Sequence, residues 1–263
     1  MLAPSWCVSQ NQFVLSPSKD SPQQASKVLL RALRNKERTD LGDTRPLLVQ
    51  SDFDDTITVG NVSTMIREAF AAPEWREMEK EFYAGKYTVE QSNVRQFALV
   101  RASRDEIDEL LGARVEVRPG FVEFVRYCES EGIRFVVVSS GLDLYVEPTM
   151  RRMGLAHVEA HSAATAFTHD GVRVSYTGPN GGPIANGFKD SFARHFKSQG
   201  YTTFYIGDGL SDVPDLVERE RLLLEHTDVV VVGARDEWSD QLVQLLTRED
   251  SVDAFERTRT LDV

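Results

Sequence analysis

The sequence predicts an α/β protein with a doubly wound, mainly parallel sheet and an inserted α-helical cap domain. Short apolar runs with strand character alternate with helical segments, a pattern typical of doubly wound sheets. Several of these runs are continuous and β-branched, as in strands that are buried on both faces. Residues 60–115 interrupt the alternation, because they have helical spacing and no strand-like run. We therefore expect an α/β core at 46–59 and 116–263, a helical cap at 60–115, and an N-terminal tail at 1–45.

The N-terminal tail begins without hydrophobic periodicity. Residues 1–22 mix Ser, Pro, Gln and Asn, which is typical of a loose segment. Apolar residues between positions 28 and 33 then predict a short amphipathic helix, which should end before the turn at 42–46.

The first strand of the core is the apolar run that begins at Leu48 and stops on Asp52 and Asp54. In an extended strand, residues i and i+2 share a face, so both carboxylates should project from the carboxyl end, where open α/β sheets bind ligands. By the same alternation, Asp55 should point to the other face. Two carboxylates this close repel each other, and a bound cation or a nucleophile paired with a proton donor would explain them. Alone, the pattern also fits solvated loop acids.

The helical cap is predicted from apolar stripes that recur at helical spacing between residues 60 and 115. The Ala-Pro-Glu segment at 72–74 indicates a helix start, with proline near the first turn. The Arg-Pro-Gly segment at 118–120 ends this block, and a helix resumes at 121–130.

Four later β-rich runs supply the remaining strands, at 133–138, 172–176, 203–206 and 229–232. A helical segment around 190–198 separates the second and third of these runs, and another around 211–219 separates the third and fourth. His157 and His161 are spaced i, i+4 and could share one face of a helix. No third metal ligand is patterned nearby, so we interpret this segment as a solvated helix end and not as a zinc site.

Composition narrows the class of function. The 263 residues are 41% hydrophobic and carry a formal charge of −11, which argues against a nucleic-acid partner. An anionic substrate would need local cations or a metal. Cys7 and Cys128 are too few for a disulfide framework, which favours a reducing cytoplasm. No apolar run reaches membrane length, so we expect a soluble cytoplasmic protein without a membrane partner.

Polar groups follow a second strand and begin a helix. The run that ends at Ser139 continues into Ser140 and Gly141, a turn that can open a helix whose free N–H groups bind an anion. Lys189 heads a later helical segment. Taken alone, Ser139 is equally explained as a helix cap and Lys189 as a surface residue.

A third strand, at 203–206, is followed by Gly207, Asp208 and Asp212. Taken alone, these two acids fit a turn acid and a helix N-terminal acid, each worth up to ~1 kcal/mol.

In this order, the four segments resemble the four signature motifs of the haloacid dehalogenase (HAD) superfamily of phosphohydrolases. They are the pair Asp52 and Asp54 with Thr56, then Ser139, Lys189, and the Gly-Asp-x-x-x-Asp segment at 207–212. The resemblance covers about 48–233, with the helical insertion where the phosphoserine-phosphatase-like branch has it. Segments at 72–75, 118–121 and 138–148 are similar to a subgroup of that branch, the methionine-salvage phosphatases of hydroxy-keto-methylthiopentenyl phosphate.

The resemblance implies a Mg²⁺-dependent phosphomonoesterase that acts on a small phosphorylated metabolite. In such an enzyme Asp52 attacks phosphorus and becomes an aspartyl phosphate, while Asp54 protonates the leaving alkoxide and later takes a proton from water. Mg²⁺ would be bound by Asp52, Asp208 and the main-chain carbonyl of Asp54.

The resemblance also implies how the phosphate is bound. Ser139 and Lys189 would hold its non-bridging oxygens, helped by a backbone N–H of Ser140 or Gly141. Asp212 would orient Lys189 or the waters on the metal, and Thr56 would likewise support the site without touching substrate.

The substrate is predicted from positions where this sequence differs from phosphoserine phosphatases. Residues 59–61 read Val-Gly-Asn where phosphoserine phosphatases carry a glutamate that pairs the substrate ammonium, and Ser211 stands where they favour Asn. We therefore expect a neutral or apolar phosphomonoester to be a better substrate than phosphoserine. Apolar surface for it would come from whichever cap aromatics face the cleft, among Trp75, Phe82, Tyr83 and Phe97. The alternatives are a phosphotransferase with an alcohol acceptor, a phosphoserine phosphatase and, least favoured, a non-catalytic scaffold.

Overall fold

The computed structural model describes residues 13–15, 45–207 and 229–232. The helices predicted at 28–33 and 211–219, together with Asp208 and Asp212, lie outside these residues.

Seven strands of the described residues form one sheet. In chain order they are β1 (Phe13–Leu15), β2 (Leu47–Ser51), β3 (Arg134–Leu142), β4 (Glu159–Thr168), β5 (Gly171–Ser175), β6 (Thr202–Gly207) and β7 (Val229–Val232). Across the sheet their order is β1-β7-β6-β2-β3-β4-β5, and only the β4–β5 pairing among them is antiparallel. The predicted doubly wound, mainly parallel α/β sheet is confirmed.

Strand β2 lies at the centre of the sheet, parallel to β3 on one side and to β6 on the other. Val49 pairs with Phe135 of β3 and with Phe204 of β6, and nearly all of β2 is buried. The chain reaches β3 and β6 by separate connections, which makes the end of β2 the point where the strand order reverses. Ligands of open α/β sheets bind at such a point.

Seven helices occupy the described connections. They are α1 (Val62–Phe70), α2 (Trp75–Tyr83), α3 (Val89–Phe97), α4 (Arg104–Arg114), α5 (Phe121–Ser130), α6 (Asp143–Arg152) and α7 (Phe188–Ser198). The last three pack on the sheet: Phe121 and Phe124 of α5, for example, lie 5.8 and 6.0 Å from the ring of Phe135.

The four helices between β2 and α5 match the predicted helical insertion. Their starts are encoded locally. Asn61 accepts from the Thr64 N–H at the start of α1, and both Thr88 and Ser103 form capping boxes that begin α3 and α4. The predicted start near 72–74 is also confirmed, because α2 begins at Trp75.

Two predictions about secondary structure outside the predicted site are wrong. Residues 159–168 form strand β4, so His157 and His161 do not share a helix face; His161 instead stacks on Phe192 with ring centroids 4.2 Å apart. Its neighbours in β4 are mostly Ala, Ser and Thr, and this weak apolar signal concealed the strand. At the N-terminus, residues 13–15 are not a loose tail but pair in parallel with β7.

Among the residues that the structure describes, no helix is both long and apolar enough to cross a membrane.

Candidate active site

Asp52 and Asp54 lie directly beyond the end of β2. The strand stops at Ser51, and the Asp52 N–H still donates to the Ile206 carbonyl of β6 at 2.8 Å. The chain then turns, with the Ile57 N–H donating to the Phe53 carbonyl at 2.8 Å. The two acids therefore come together through a turn and not through strand alternation.

Asp55 lines the same cavity as these acids, so the expectation that it points away is wrong. Its φ of 58° is left-handed, and strand alternation no longer applies at this position. The turn is held by Arg118, which is buried and donates to the carbonyl of Asp55 at 2.7 Å and to that of Thr56 at 2.9 Å. Arg118 therefore has a structural role that the sequence did not reveal.

The Asp52 carboxylate is fixed at both oxygens. Its Oδ1 accepts from the Phe53 N–H at 2.7 Å, and its Oδ2 accepts from Lys189 Nζ at 2.6 Å. Lys189 is the second residue of α7 and also donates to the Tyr205 hydroxyl at 3.2 Å. The predicted nucleophile and the predicted phosphate-binding lysine are thus in direct contact.

The Asp54 carboxyl is held between the insertion and the core. Its Oδ1 accepts from the Val62 N–H at the start of α1, and its Oδ2 accepts from the Tyr145 hydroxyl, both at 2.7 Å. Desolvation raises the pKa of Asp54 to about 6, the Tyr145 hydrogen bond opposes that shift, and the charge of Asp52 adds to it. The Asp54 carboxyl therefore keeps its proton to a higher pH than an ordinary aspartate does.

Ser139, Ser140 and Gly141 lie within β3, which continues to Leu142, and not in a turn after it. Between the pairs Val138–His161 and Leu142–Ala163, β3 advances by four residues and β4 by two, so this segment bulges out of the ladder. Both serines are buried and line the cavity, and the Gly141 N–H donates to Ser139 Oγ at 2.9 Å.

Gly141 leaves the space that the Asp54–Tyr145 pair occupies. A Cβ at this position would lie 2.9 Å from Asp54 Oδ2 and closer still to the Tyr145 hydroxyl. A side chain here would therefore separate the proposed acid from its tyrosine.

One cavity of about 180 Å³ joins most of the predicted site. Thr56 is buried and is not among its lining residues. Asp208 and Asp212 lie outside the described residues, although their strand, β6, ends beside Asp52. The predicted residues that line the cavity are Asp52, Asp54, Ser139, Ser140, Gly141 and Lys189.

The wall from the helical insertion is mostly polar, which sequence reasoning missed. It includes Asn61, Ser63, Thr64, Arg67, Glu79, Ser92, Asn93 and Gln96. A signal was present in α3, because the buried positions of that helix are mainly polar. Such a face must meet either polar partners or a polar ligand.

Of the four aromatic candidates in the cap, two reach the cavity. Phe82 and Tyr83 line it, whereas Trp75 and Phe97 are buried in the protein core. The apolar surface offered to a substrate is accordingly smaller than the sequence suggested.

The acidic pair fits a divalent cation. In the described part of the chain, no three His, Cys, Asp or Glu side chains are grouped to hold a metal ion. Asp52 and Asp54 nevertheless repel each other beside the cavity, and a cation would offset that repulsion. Two carboxylate residues suit Mg²⁺, which keeps several of its own waters.

A family model described as haloacid dehalogenase-like hydrolase matches residues 49–216. A phosphatase of 2-hydroxy-3-keto-5-methylthiopentenyl-1-phosphate from Brevibacillus brevis is 31% identical over 176 residues, which cover 65% of this chain and 78% of that protein. A protein of the same name from Geobacillus kaustophilus is 30% identical, with 65% and 79% covered.

Solved structures share the fold. A phospho-aspartyl intermediate analogue of phosphoserine phosphatase superposes with a TM-score of 0.52 at 20% identity, covering 73% of this chain and 96% of that one. A HAD family hydrolase from Salmonella enterica serovar Typhi gives a TM-score of 0.55 at 15% identity, covering 85% and 81%.

These findings confirm the predicted superfamily and the prediction of an enzyme of the HAD phosphatase type. The matched segment runs from within β2 to beyond the last of the four motifs. The chain belongs to the haloacid dehalogenase-like hydrolase family.

Proposed function

We propose that this enzyme hydrolyses the phosphomonoester of a small metabolite through an aspartyl phosphate on Asp52, with Mg²⁺ as cofactor. The observation that carries the proposal is the shared cavity in which Asp52, Asp54 and Lys189 meet. An oriented carboxylate, a second carboxyl able to hold a proton, and a cation are the groups that phosphoryl transfer to an acid requires.

The proposed chemistry has two steps. In the first, an oxygen of Asp52 attacks phosphorus and the bond to the leaving alkoxide breaks, while Asp54 gives that alkoxide a proton. In the second, Asp54 takes a proton from water as the water attacks phosphorus, which releases inorganic phosphate and restores the Asp52 carboxylate. Such general acid–base roles contribute about 10²–10⁴-fold in rate.

Charge on the transferring group must be neutralised. We assign this role to Lys189 and to the hydroxyl of Ser139, with help from the Ser140 N–H. The Gly141 N–H, also a candidate, would have to give up its bond to Ser139 Oγ. Bound Mg²⁺ would supply further positive charge and would be held by Asp52, the Asp54 carbonyl and Asp208.

The supporting residues and the domain limits remain proposals. Asp212 and Thr56 would act on the groups that bind phosphate and metal, and Thr56 is suited to this because it is a buried residue of the turn that carries Asp54. We place the α/β core at 46–59 and 116–263 and the cap at 60–115, which helices α1 to α4 support. Strand β1 belongs with the core sheet. A cytoplasmic location is also proposed.

The relatives suggest the kind of substrate. Two of them are named for a phosphomonoester whose alcohol part carries hydroxy, keto and methylthio groups. We propose an oxygenated phosphomonoester of this size as the substrate here. The polar wall of the insertion would meet its oxygens, and Phe82 and Tyr83 would meet its apolar end.

A phosphate-release assay tests this function. The full chain is incubated with a panel of phosphomonoesters, including phosphoserine, with Mg²⁺ or with EDTA. We expect phosphate release to depend on Mg²⁺, and we expect phosphoserine to have a lower kcat/KM than the oxygenated neutral esters.

Added glycerol tests the alternative function, because a phosphotransferase would form glycerol phosphate at the expense of inorganic phosphate. Phosphate release that persists in EDTA would contradict the metal assignment.

A further inference from the structure

Arg67 is an incompletely paired cation in the wall of the cavity. It lies on α1, is 7% exposed, and lines the same cavity as Asp52 and Asp54. Two of its hydrogen bonds, each 2.8 Å long, go to neutral hydroxyls of its own helix, those of Ser63 and Thr64. These two hydroxyls accept hydrogen bonds but do not neutralise the positive charge of the guanidinium.

The remaining contacts of Arg67 are weak. The ion pair that the described residues offer it, with Glu79 Oε1, is 3.4 Å long. Its Nε is buried and has no hydrogen-bond partner among the described residues. Because an arginine stays charged, a buried guanidinium with a long ion pair and an unused donor is unfavourable unless something else supplies an acceptor.

The position of the guanidinium is nevertheless fixed by packing. Its central carbon lies 5.2 Å from the ring of Trp75 and 6.0 Å from the ring of Phe97. Both aromatic residues are buried, so they hold the cation in place before any ligand arrives. A donor group positioned in this way loses little entropy on binding.

Arg67 and the phosphate-binding residues come from different parts of the fold. Lys189 is on α7 and Ser139 on β3, both in the core, whereas Arg67 belongs to the helical insertion. In the proposed reaction the phosphoryl group lies at Asp52, at the carboxyl end of the central strand β2. The insertion side of the cavity is then left for the alcohol part of the substrate.

We propose that Arg67 is a specificity-determining residue that binds a carbonyl or carboxylate oxygen on the alcohol part of the phosphomonoester. This inference rests on the proposed function for its place in the reaction. It narrows the substrate class to esters with such an oxygen near the phosphate, and it gives the incompletely paired guanidinium a ligand.

Matched pairs of compounds test the assignment. 2-Phosphoglycolate and ethyl phosphate have the same two-carbon alcohol part, but only the first carries a carboxylate. 3-Phosphonopropionate and propylphosphonate form the same pair with a bond that cannot be hydrolysed. The first pair reports kcat/KM, and the second reports Kd by calorimetry on the full chain with Mg²⁺, independently of turnover.

We expect the wild-type protein to prefer the carboxylate compound of each pair, and Arg67→Met to reduce that preference by about 10- to 100-fold, as for a hydrogen bond to a charged group. Arg67→Lys should restore part of the preference. Arg76→Met is the matched control. Arg76 packs 4.7 Å from the same Trp75 ring but is exposed and is not among the residues lining the cavity.

A preference that survives in Arg67→Met, or is absent from the wild type, overturns the assignment. So does an equal loss on both compounds of a pair, because Arg67 would then act on the phosphoryl group or on folding. Failure of the proposed function looks different. In that case the phosphonates show the Arg67-dependent preference, while neither phosphate ester is hydrolysed.

Discussion

Glu90 connects the helical insertion to the helix that carries Lys189. It lies on α3, is 2% exposed, and its Oε1 accepts from the Phe188 N–H at 2.9 Å. Phe188 is the first residue of α7, and Lys189 follows it. Beside this contact, the Thr88 hydroxyl donates to the Ala185 carbonyl at 2.8 Å. Replacing Glu90 by Ala should therefore weaken both the fold and the placement of Lys189.

The size of the effect follows from the contact. A hydrogen bond to a charged group contributes about 1.5–3 kcal/mol, and a carboxylate at a helix N-terminus adds ~0.3–1 kcal/mol. We expect Glu90→Ala to lower the free energy of unfolding by about 2–4 kcal/mol. Because Lys189 contacts Asp52 directly, we also expect kcat/KM to fall at least ~10-fold, which corresponds to about 1.4 kcal/mol of transition-state stabilisation. Glu90→Gln keeps an acceptor oxygen and should lose less of both.

Urea unfolding measures the stability, and phosphate release on the best substrate of the panel measures the activity. Glu77→Ala is a suitable control, since Glu77 is 72% exposed on α2 and pairs with Lys80 at the surface. If Glu90→Ala changed the free energy of unfolding and kcat/KM no more than Glu77→Ala does, the inference that Glu90 helps to position Lys189 would be wrong.

Three further predictions concern the catalytic groups. Gly141→Ala places a methyl group against Asp54 and Tyr145, so kcat should fall by at least ~10-fold, about 1.4 kcal/mol; unchanged kcat in steady-state kinetics would contradict the close approach. Asp54→Asn removes the proton donor and should slow turnover by roughly 10²-fold or more, with a smaller loss for p-nitrophenyl phosphate, whose leaving group needs no proton. EDTA should abolish phosphate release and Mg²⁺ should restore it, because Asp52, Asp54 and Asp55 oppose an anionic substrate without a cation.

Much of the site could be predicted because its residues stand at the ends of apolar runs. Asp52 directly follows β2, and Ser139 lies in the last part of β3. Because β2 and β3 are parallel neighbours, the sheet brings these two positions close together. The position of Lys189 does not follow from strand ends, because this residue lies in the first turn of helix α7. It was found because it completes an ordered set of motifs.

Other features depend on loop geometry, which alternation does not describe. Asp55 was assigned to the wrong face because the strand had already ended at Ser51 and the next residues turn. The need for a glycine at position 141 comes from the Asp54–Tyr145 contact, a pairing across 91 positions in the chain that spacing cannot reveal.

The polar wall of the cavity was missed for a similar reason. Arg67 looks like an ordinary surface arginine in sequence, but it is buried in the structure, where Trp75 of α2 and Phe97 of α3 pack beside it. The same packing removes those two aromatics from the cleft. Strand β4 was missed because most of its residues are small or polar and half of them are exposed.

The most direct test of the account is to trap the acyl phosphate on Asp52. The full chain is mixed with p-nitrophenyl phosphate and Mg²⁺, quenched in acid during turnover, and reduced with borohydride, which converts an aspartyl phosphate to homoserine. Mass spectrometry of the peptide that contains residue 52 should find homoserine there, and neither homoserine nor turnover in Asp52→Asn. Turnover with no reduction product at Asp52, or turnover that persists in Asp52→Asn, would contradict the nucleophile assignment.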